Sequence, residues 1–203
     1  MTNKKIKKYN VHRLAKVLER ARDIDYCGVW LALLDSGMSK KKVLEFFDDF
    51  HNNGVPQLQQ DADDEILAHK VYEFLIDVQI VPEYIEQVPK RHIAEIMTAF
   101  QNGSYDKAIQ SNCTDFMVLM YYVHKQLGYG HIRLMRIVDF IMRYQGDPRK
   151  EVQERLNITY PADDELPDTT DIFKKRKTWY DKNEVFRMRR EMDAVRVIQG
   201  GEK

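Results

Sequence analysis

The clearest hydrophobic pattern in the chain lies between Thr114 and Tyr144. Residues 116–123 are apolar or aromatic without interruption, residues 128–130 read Gly-Tyr-Gly, and a second apolar segment covers residues 132–144. Both apolar segments are rich in Leu and Met and are too long for ordinary strands, which favours helices. The pattern therefore predicts two helices that pack against each other as an αα-hairpin around the glycine turn.

A second helix–glycine–helix pattern precedes this one. Residues 29–34 are apolar on every side, Gly37 is expected to end that helix, and Ser39 is expected to cap the next helix. The next helix carries apolar side chains at helical spacing, at Val43, Phe46, Phe47 and Phe50. Gly54 is expected to stop it. When Gly37 is aligned with Gly128 the two patterns run in step, so that either an internal duplication or ordinary helical patterning explains the likeness.

The remaining segments also favour helices. Further helix starts are expected at Asn10, near Asp64, at Pro89 and at Asp147-Pro148. Residues 54–63 are expected to form a polar connector, and residues 104–112 a short helical turn. No segment shows the alternation of apolar and polar residues that is typical of a half-buried sheet. We therefore predict an all-α fold, a helical domain built on two helix–Gly–helix hairpins with a basic C-terminal helix.

Composition changes mark the expected domain boundaries. Residues 1–158 are predicted to form a helical core domain, residues 159–171 (TYPADDELPDTTD) an acidic linker, and residues 172–203 a basic C-terminal helix. The C-terminal helix carries a seam of about two heptads, formed by Val185, Met188, Met192 and Val195. This seam could pack on the core domain or pair with a second copy of the chain as a homodimer.

The charges balance in total but are segregated along the chain. Lys plus Arg and Asp plus Glu both number 32, so no net charge attracts nucleic acid or a membrane, and any attraction must come from local patches. Residues 1–22 are basic, and residues 61–86 are acidic. The basic segment could contact phosphates, and the acidic segment could dock a basic partner. Solvated helix faces are the simpler explanation for both.

The sequence lacks the signatures of common enzyme and cofactor sites. It contains no phosphate-binding loop of the G-x-x-x-x-G-K-[ST] type, no H-E-x-x-H, no C-x-x-C, no G-x-S-x-G and no dinucleotide-binding glycine pattern. The six histidines stand at no metal-ligand spacing, so we expect no metal, no cofactor and no enzyme. Cys27 and Cys113 are expected to be buried thiols. With no secretory apolar segment at the start and no apolar run of membrane-spanning length, a soluble, intracellular protein is expected.

The turn at residues 128–130 carries the best functional signal. Two glycines around one bulky residue, at the start of a helix, expose backbone N–H groups in a geometry that suits a phosphate. The turn resembles the helix-hairpin-helix DNA-binding motif, whose glycine–apolar–glycine turn approaches the phosphate backbone. Gly128, Tyr129 and Gly130 match that turn. Arg133 and Arg136 follow within the next helix, where they could add charge-assisted phosphate contacts.

Two positions differ from the helix-hairpin-helix pattern: Leu134 stands where that family has a small residue, and Leu127 stands where it has proline. The turn at Gly37 matches less closely, but it is followed at once by Lys40, Lys41 and Lys42. Cations beside a helix start are unfavourable to the helix dipole, and a bound anion would explain them. Alternatively, Gly37 is an ordinary helix cap that is followed by solvated lysines.

A second resemblance covers residues 116–144. The segment Gly-Tyr-Gly-His-Ile-Arg-Leu, residues 128–134, is similar to the G-F-G-x-x-R-L segment of small helical proteins encoded by phages and prophages of Gram-positive bacteria. This resemblance implies an accessory protein of a mobile element in the cytoplasm of a bacterial host cell. It implies no activity, cofactor or catalytic residue.

Two hypotheses for the function follow. The first is a non-enzymatic phage or mobile-element accessory protein that binds nucleic acid, in regulation or DNA metabolism, through Gly128, Gly130, His131, Arg133, Arg136, Lys40, Lys41 and Lys42. The alternative is an inhibitor that binds a host or defence protein, of the anti-CRISPR type, through Asp61, Asp63, Asp64, Glu65, Val185, Met188, Met192 and Val195. Neither hypothesis involves a membrane partner.

Overall fold

A computed structural model describes the backbone of residues 3–64, 66–97 and 105–159, and the side chains of residues 19–64, 66–93 and 112–159 within them. The described residues form helices and turns without strands, which confirms the all-α prediction. The helices are α1 (Asn3–Asp35), α2 (Lys40–Asp49), α3 (Val55–Asp63), α4 (Leu67–Asp77), α5 (Pro82–Met97), α6 (Tyr105–Leu127), α7 (His131–Arg143) and α8 (Pro148–Leu156). The linker beyond residue 159 and the predicted C-terminal helix, with its seam, lie outside the described residues.

Helix α1 is the central element of the fold. It packs against α2, α5, α6, α7 and α8, and its segment from residue 27 to residue 33 is buried on all sides. Trp30 lies within this segment and packs edge-on against Phe46 and Phe47 of α2. The predicted helix start at Asn10 is wrong, because α1 already begins at Asn3 and runs through Asn10. No glycine or proline interrupts the chain there, so nothing local ends the helix.

The predicted polar connector at residues 54–63 is also wrong. Helix α2 continues through a π-helical turn, Phe50–Gly54, directly into α3, and α4 begins at Leu67 rather than near Asp64. Gly54 does not stop a helix. A Cβ atom at this position would lie 2.7 Å from the ring of Tyr122, so glycine allows α6 to approach the π-helical turn closely.

Two further helix boundaries differ from the prediction and one agrees. Pro89 lies inside α5, which begins at Pro82. Within the predicted short turn at residues 104–112, the described residues 105–112 are the first part of α6. Asp147 caps α8 as predicted, and its carboxylate accepts hydrogen bonds from the N–H groups of Arg149 at 3.0 Å and Lys150 at 3.3 Å.

The turn between α1 and α2 forms as predicted. Gly37 has a φ angle of +91° and ends α1, while the N–H group of Met38 donates to the carbonyl of Leu33 at 3.1 Å. This is the bonding pattern of a Schellman cap. Ser39 then caps α2, because its Oγ accepts a hydrogen bond from the N–H group of Lys42 at 3.4 Å.

The second hairpin does not pack as predicted. Gly128 ends α6 with a φ angle of +62°, but α7 packs against α1 and α5 and hardly approaches α6. The apolar face of α7, including the fully buried Leu134, is covered by the core. The helix-hairpin-helix motif has a small residue at the position of Leu134, so the bulk of this side chain is consistent with the wider separation of α6 and α7. None of the described helices is long and apolar enough to cross a membrane.

Candidate functional site

The two glycine turns lie side by side, although they are far apart in the sequence. Together they line a cavity of about 680 Å³. One side of the cavity is formed by the end of α1, the turn at Gly37 and the start of α2, and the other side by the turn at Tyr129 and the first part of α7. The cavity therefore unites the two turns for which the sequence suggested an anion.

The packing of α1 against α7 brings these turns together. A Cβ atom on Gly28 of α1 would lie only 3.0 Å from Cγ1 of Ile141 on α7. Ala32 lies four residues further along α1, and Ser36 directly follows the end of that helix. Both line the cavity together with Ile137 and Arg133, which lie four and eight residues back along α7. The two helices are thus antiparallel. The small side chains at this spacing lie on one face of α1, which allows the close approach.

Arg133 is held in place by the turn that precedes α7. Its guanidinium lies over the ring of Tyr129, 5.1 Å from the ring centroid. The backbone of Tyr129 is anchored in turn, because Nδ1 of His124 donates a hydrogen bond to its carbonyl oxygen at 2.9 Å. The structure therefore restricts Arg133 before any ligand arrives, which lowers the entropy that is lost on binding.

Three cations from two separate helices line the cavity: Lys42 of α2, and Arg133 and Arg136 of α7. In the part of the chain that the structure describes, no salt bridge joins any of the three to a carboxylate. Other exposed lysines have such partners, as in the 3.7 Å contact between Lys41 and Glu45. Because a concave wall with charges of one sign focuses the field, this cavity favours an anion.

The first turn of α7 has backbone N–H groups that no side chain caps, although Gly130, His131 and Ile132 do not line the cavity. Its N-cap residue is Gly130, which has no side chain to accept a hydrogen bond from that turn. The carbonyl of Gly130 accepts hydrogen bonds from the N–H groups of Arg133 and Leu134, both at 3.1 Å. The N–H groups of His131 and Ile132 come before these first bonds of the helix, so they have no acceptor within it. That Gly130 offers its own N–H group to a phosphate stays a prediction.

Other predicted residues have different roles. The N–H group of Gly128 donates to the carbonyl of His124 at 2.9 Å, so Gly128 turns the chain rather than offering its own N–H to a ligand. Nδ1 of His131 donates to the carbonyl of Val78 at 3.0 Å and ties α7 to the end of α4. Lys41 is paired with Glu45, and the exposed Lys40 does not line the cavity.

The structure adds residues that the sequence did not single out. Ser36, Ser39 and Tyr129 line the cavity beside the cations. From the sequence pattern, Tyr129 was assigned only to the glycine turn and Ser39 only to a helix cap. For Ser36, the four-residue spacing of Gly28, Ala32 and Ser36 was the one signal that could have placed it on the side that faces α7.

The acidic surface proposed for a protein partner is only partly exposed. Asp61 is buried, with 4% of its side chain accessible, and accepts hydrogen bonds from Lys70 at 2.7 Å and Gln57 at 3.0 Å. Burial opposes its ionisation, but these hydrogen bonds and the charge of Lys70 outweigh burial and lower the pKa of Asp61. Asp61 therefore ties α3 to α4 instead of facing a partner. Asp63 and Asp64 are exposed, whereas Glu65 lies outside the described residues.

A second polar cluster is buried between α1, α5 and α6. Both oxygens of Asp25 are used, one by Nδ1 of His92 and the other by Nδ2 of Asn112 at 3.1 Å. Nearby, burial raises the pKa of the Cys113 thiol, which keeps it protonated and unreactive. Cys27 and Cys113 are both buried free thiols, as the sequence predicted. The enclosed cluster serves the packing of the three helices.

A comparison of the chain with known families, proteins and structures found no significant match. No protein-family model matches the chain, and neither a curated protein nor a solved structure is significantly similar to it.

Proposed function

We propose that this protein binds nucleic acid through the cavity between its two glycine turns and acts as a non-enzymatic accessory protein of a phage or other mobile element. The observation that carries the proposal is the convergence of Lys42, Arg133 and Arg136 on one cavity without a carboxylate partner among the described residues. Holding like charges together costs free energy in the absence of an anion. A phosphate in the cavity would remove that cost.

The types of side chain support phosphate over other anions. Arg133 and Arg136 present planar guanidinium groups, which bind two phosphate oxygens at once, and Lys42 adds a compact charge. Since the whole chain is electrically neutral, binding would depend on this local patch and not on a general attraction to polyanions.

The experiment is a salt titration of binding to a mixed-sequence oligonucleotide. We compare the wild type with the variant Lys42→Gln, Arg133→Gln, Arg136→Gln. If each side chain contacts one phosphate, the slope of log Kobs against log salt should become shallower by about 0.9 per lost contact on duplex DNA, or about 0.7 on a single strand.

The matched control removes three cations outside the cavity: Lys41, Lys150 and Arg155. Each is exposed and forms an ion pair with a carboxylate four residues away on its own helix. The control variant, with glutamine at all three positions, loses the same total charge and should keep the wild-type slope. An unchanged slope in the folded cavity variant, or an equal loss in the control, would contradict the proposal.

A protein-binding function is the second candidate, and the corner between α3 and α4 favours it. There Ile66 is 42% exposed and follows the exposed Asp63 and Asp64 in the chain. A basic partner protein, such as a nuclease of bacterial defence, would fit this corner. The variant Asp63→Lys, Asp64→Lys should then lose capture of a bacterial partner while Lys42→Gln keeps it. The opposite result would exclude the corner.

A further inference from the structure

The lining of the cavity combines two kinds of side chain. Lys42, Arg133 and Arg136 are cations, whereas Ala32, Met38 and Ile137 are apolar. A site for phosphate alone needs only the cations. The apolar residues indicate a ligand in which an uncharged, flat or hydrophobic group is attached to a phosphate.

The two serines of the cavity differ in what they can offer. The hydroxyl of Ser36 donates to the carbonyl of Leu33 at 2.7 Å, so its oxygen can only accept a further hydrogen bond. Ser39 accepts from the N–H group of Lys42, so its own hydroxyl hydrogen remains free to donate. Ser39 is therefore suited to a phosphate oxygen, and Ser36 to an amino or hydroxyl group of a base or sugar.

The volume of the cavity suits one nucleotide. It is about 680 Å³, within the range of small-molecule sites, which is roughly 300–1,000 Å³. A duplex keeps its bases stacked and exposes only their edges in the grooves, so it could bring phosphates to the cations but no base face to the apolar side chains. A single strand can turn one base out of its stack and place it in a pocket.

Building on the proposed nucleic-acid function, we infer that the cavity takes one nucleotide of a single strand. The phosphate lies against Lys42, Arg133 and Arg136, and the base lies against Met38 and Ile137. The protein is thus a single-strand binder, and the free nucleotide is the smallest ligand that has both parts.

The test measures binding of the full chain to three oligonucleotides of equal length: a single strand with bases, the same strand made of abasic sites, and a duplex. Nucleoside monophosphate and inorganic phosphate serve as competitors. The strand with bases should bind at least about fivefold more tightly than the abasic strand, because a base can bury apolar surface against Met38. It should also bind more tightly than the duplex, and the nucleotide should compete better than phosphate.

The variant Met38→Ser keeps every charge of the cavity. It should remove most of the difference between the strand with bases and the abasic strand. Met135→Ser is the matched control, since Met135 is partly buried on α7 but does not line the cavity. Circular dichroism of both variants verifies that the helices remain.

Each outcome decides the inference. A preference for the strand with bases that Met38→Ser removes and Met135→Ser keeps supports it. Equal binding of the duplex, the abasic strand and the strand with bases overturns the inference but leaves nucleic-acid binding intact. An absence of binding to all three at low salt overturns the proposed function as well.

Discussion

The buried carboxyl group of Asp25 should make the stability of this protein depend on pH in an unusual direction. Asp25 is 1% exposed, and its oxygens are paired with His92 and Asn112. Burial raises its pKa from 3.8 to about 6, although the hydrogen bond and charge of His92 act in the opposite direction, and Asp115 adds to the rise. Most acidic groups in folded proteins show the reverse, since ion pairs and hydrogen bonds lower their pKa values.

The size and sign of the effect follow from this difference. Between about pH 3.8 and pH 6 the folded protein holds a proton on Asp25 that the unfolded chain has released, so stability falls as the pH rises through this window. A pKa difference of about two units, at 1.36 kcal/mol per unit, corresponds to about 3 kcal/mol. This contribution is fully present below pH 3.8 and is lost above pH 6.

The variant Asp25→Asn removes the titrating group and keeps the shape of the side chain. We expect its free energy of unfolding, relative to wild type, to rise by about 3 kcal/mol as the pH increases from about 4 to about 7. Urea unfolding followed by circular dichroism at several pH values measures this difference. Because the two proteins share all other titratable groups, the difference reports Asp25 together with its coupling to His92 and Asp115.

Asp139→Asn is the control for the loss of one negative charge, since Asp139 is exposed on α7. If the difference between Asp25→Asn and wild type is independent of pH, or falls as the pH rises, the reasoning is refuted. A changed slope of the urea transition would instead indicate that the substitution alters the unfolded state or breaks two-state unfolding.

Three further predictions concern packing and charge. Gly54→Ala should lower the free energy of unfolding by about 1–3 kcal/mol, because the added methyl group meets the ring of Tyr122. The loss should shrink in a Tyr122→Leu background. A raised Tm of Gly54→Ala would contradict this prediction. Gly28→Val should lower the free energy of unfolding by a similar amount, because the added side chain meets Ile141. It should also weaken nucleic-acid binding, since the close approach of α1 to α7 at Ile141 positions the cavity. Unchanged affinity would show that the loss of stability does not extend to the cavity. The ionised Asp61 contributes stability above the normal carboxyl pKa, and this contribution is lost as the pH falls through the lowered pKa of Asp61. Asp61→Asn should abolish this pH-dependent contribution. The free energy of unfolding of both proteins, measured across acidic pH, tests this.

Much of the helical structure could be predicted from local patterns. The fully buried middle of α1, the caps at Gly37 and Ser39, and the start of α8 at Asp147 all depend on residues within one or two helical turns. Apolar spacing and capping preferences contain that information directly, because the hydrogen bonds concerned join residues two to five positions apart. The all-α fold class follows from the sum of such signals.

Two of the errors arose where a local signal had a distant cause. Gly54 looked like a helix stop, but glycine stands there because the ring of Tyr122 leaves no room for a Cβ atom. Pro89 looked like a helix start, but it lies inside α5. Asp61 looked like an exposed acid, although Lys70 pairs with it inside the fold. For Gly54 and Asp61 the role of the residue depends on tertiary context, which overrides local preference.

The candidate site illustrates the same division. The cations and glycines of both turns stand out in the sequence, because glycine turns and charges at a helix start are local features. Their meeting in one cavity depends on α7 packing antiparallel to α1, with Gly28 against Ile141. The fit between small and large side chains on two distant helices sets that arrangement. Such a fit has no period along the chain, so it is visible only in the folded protein.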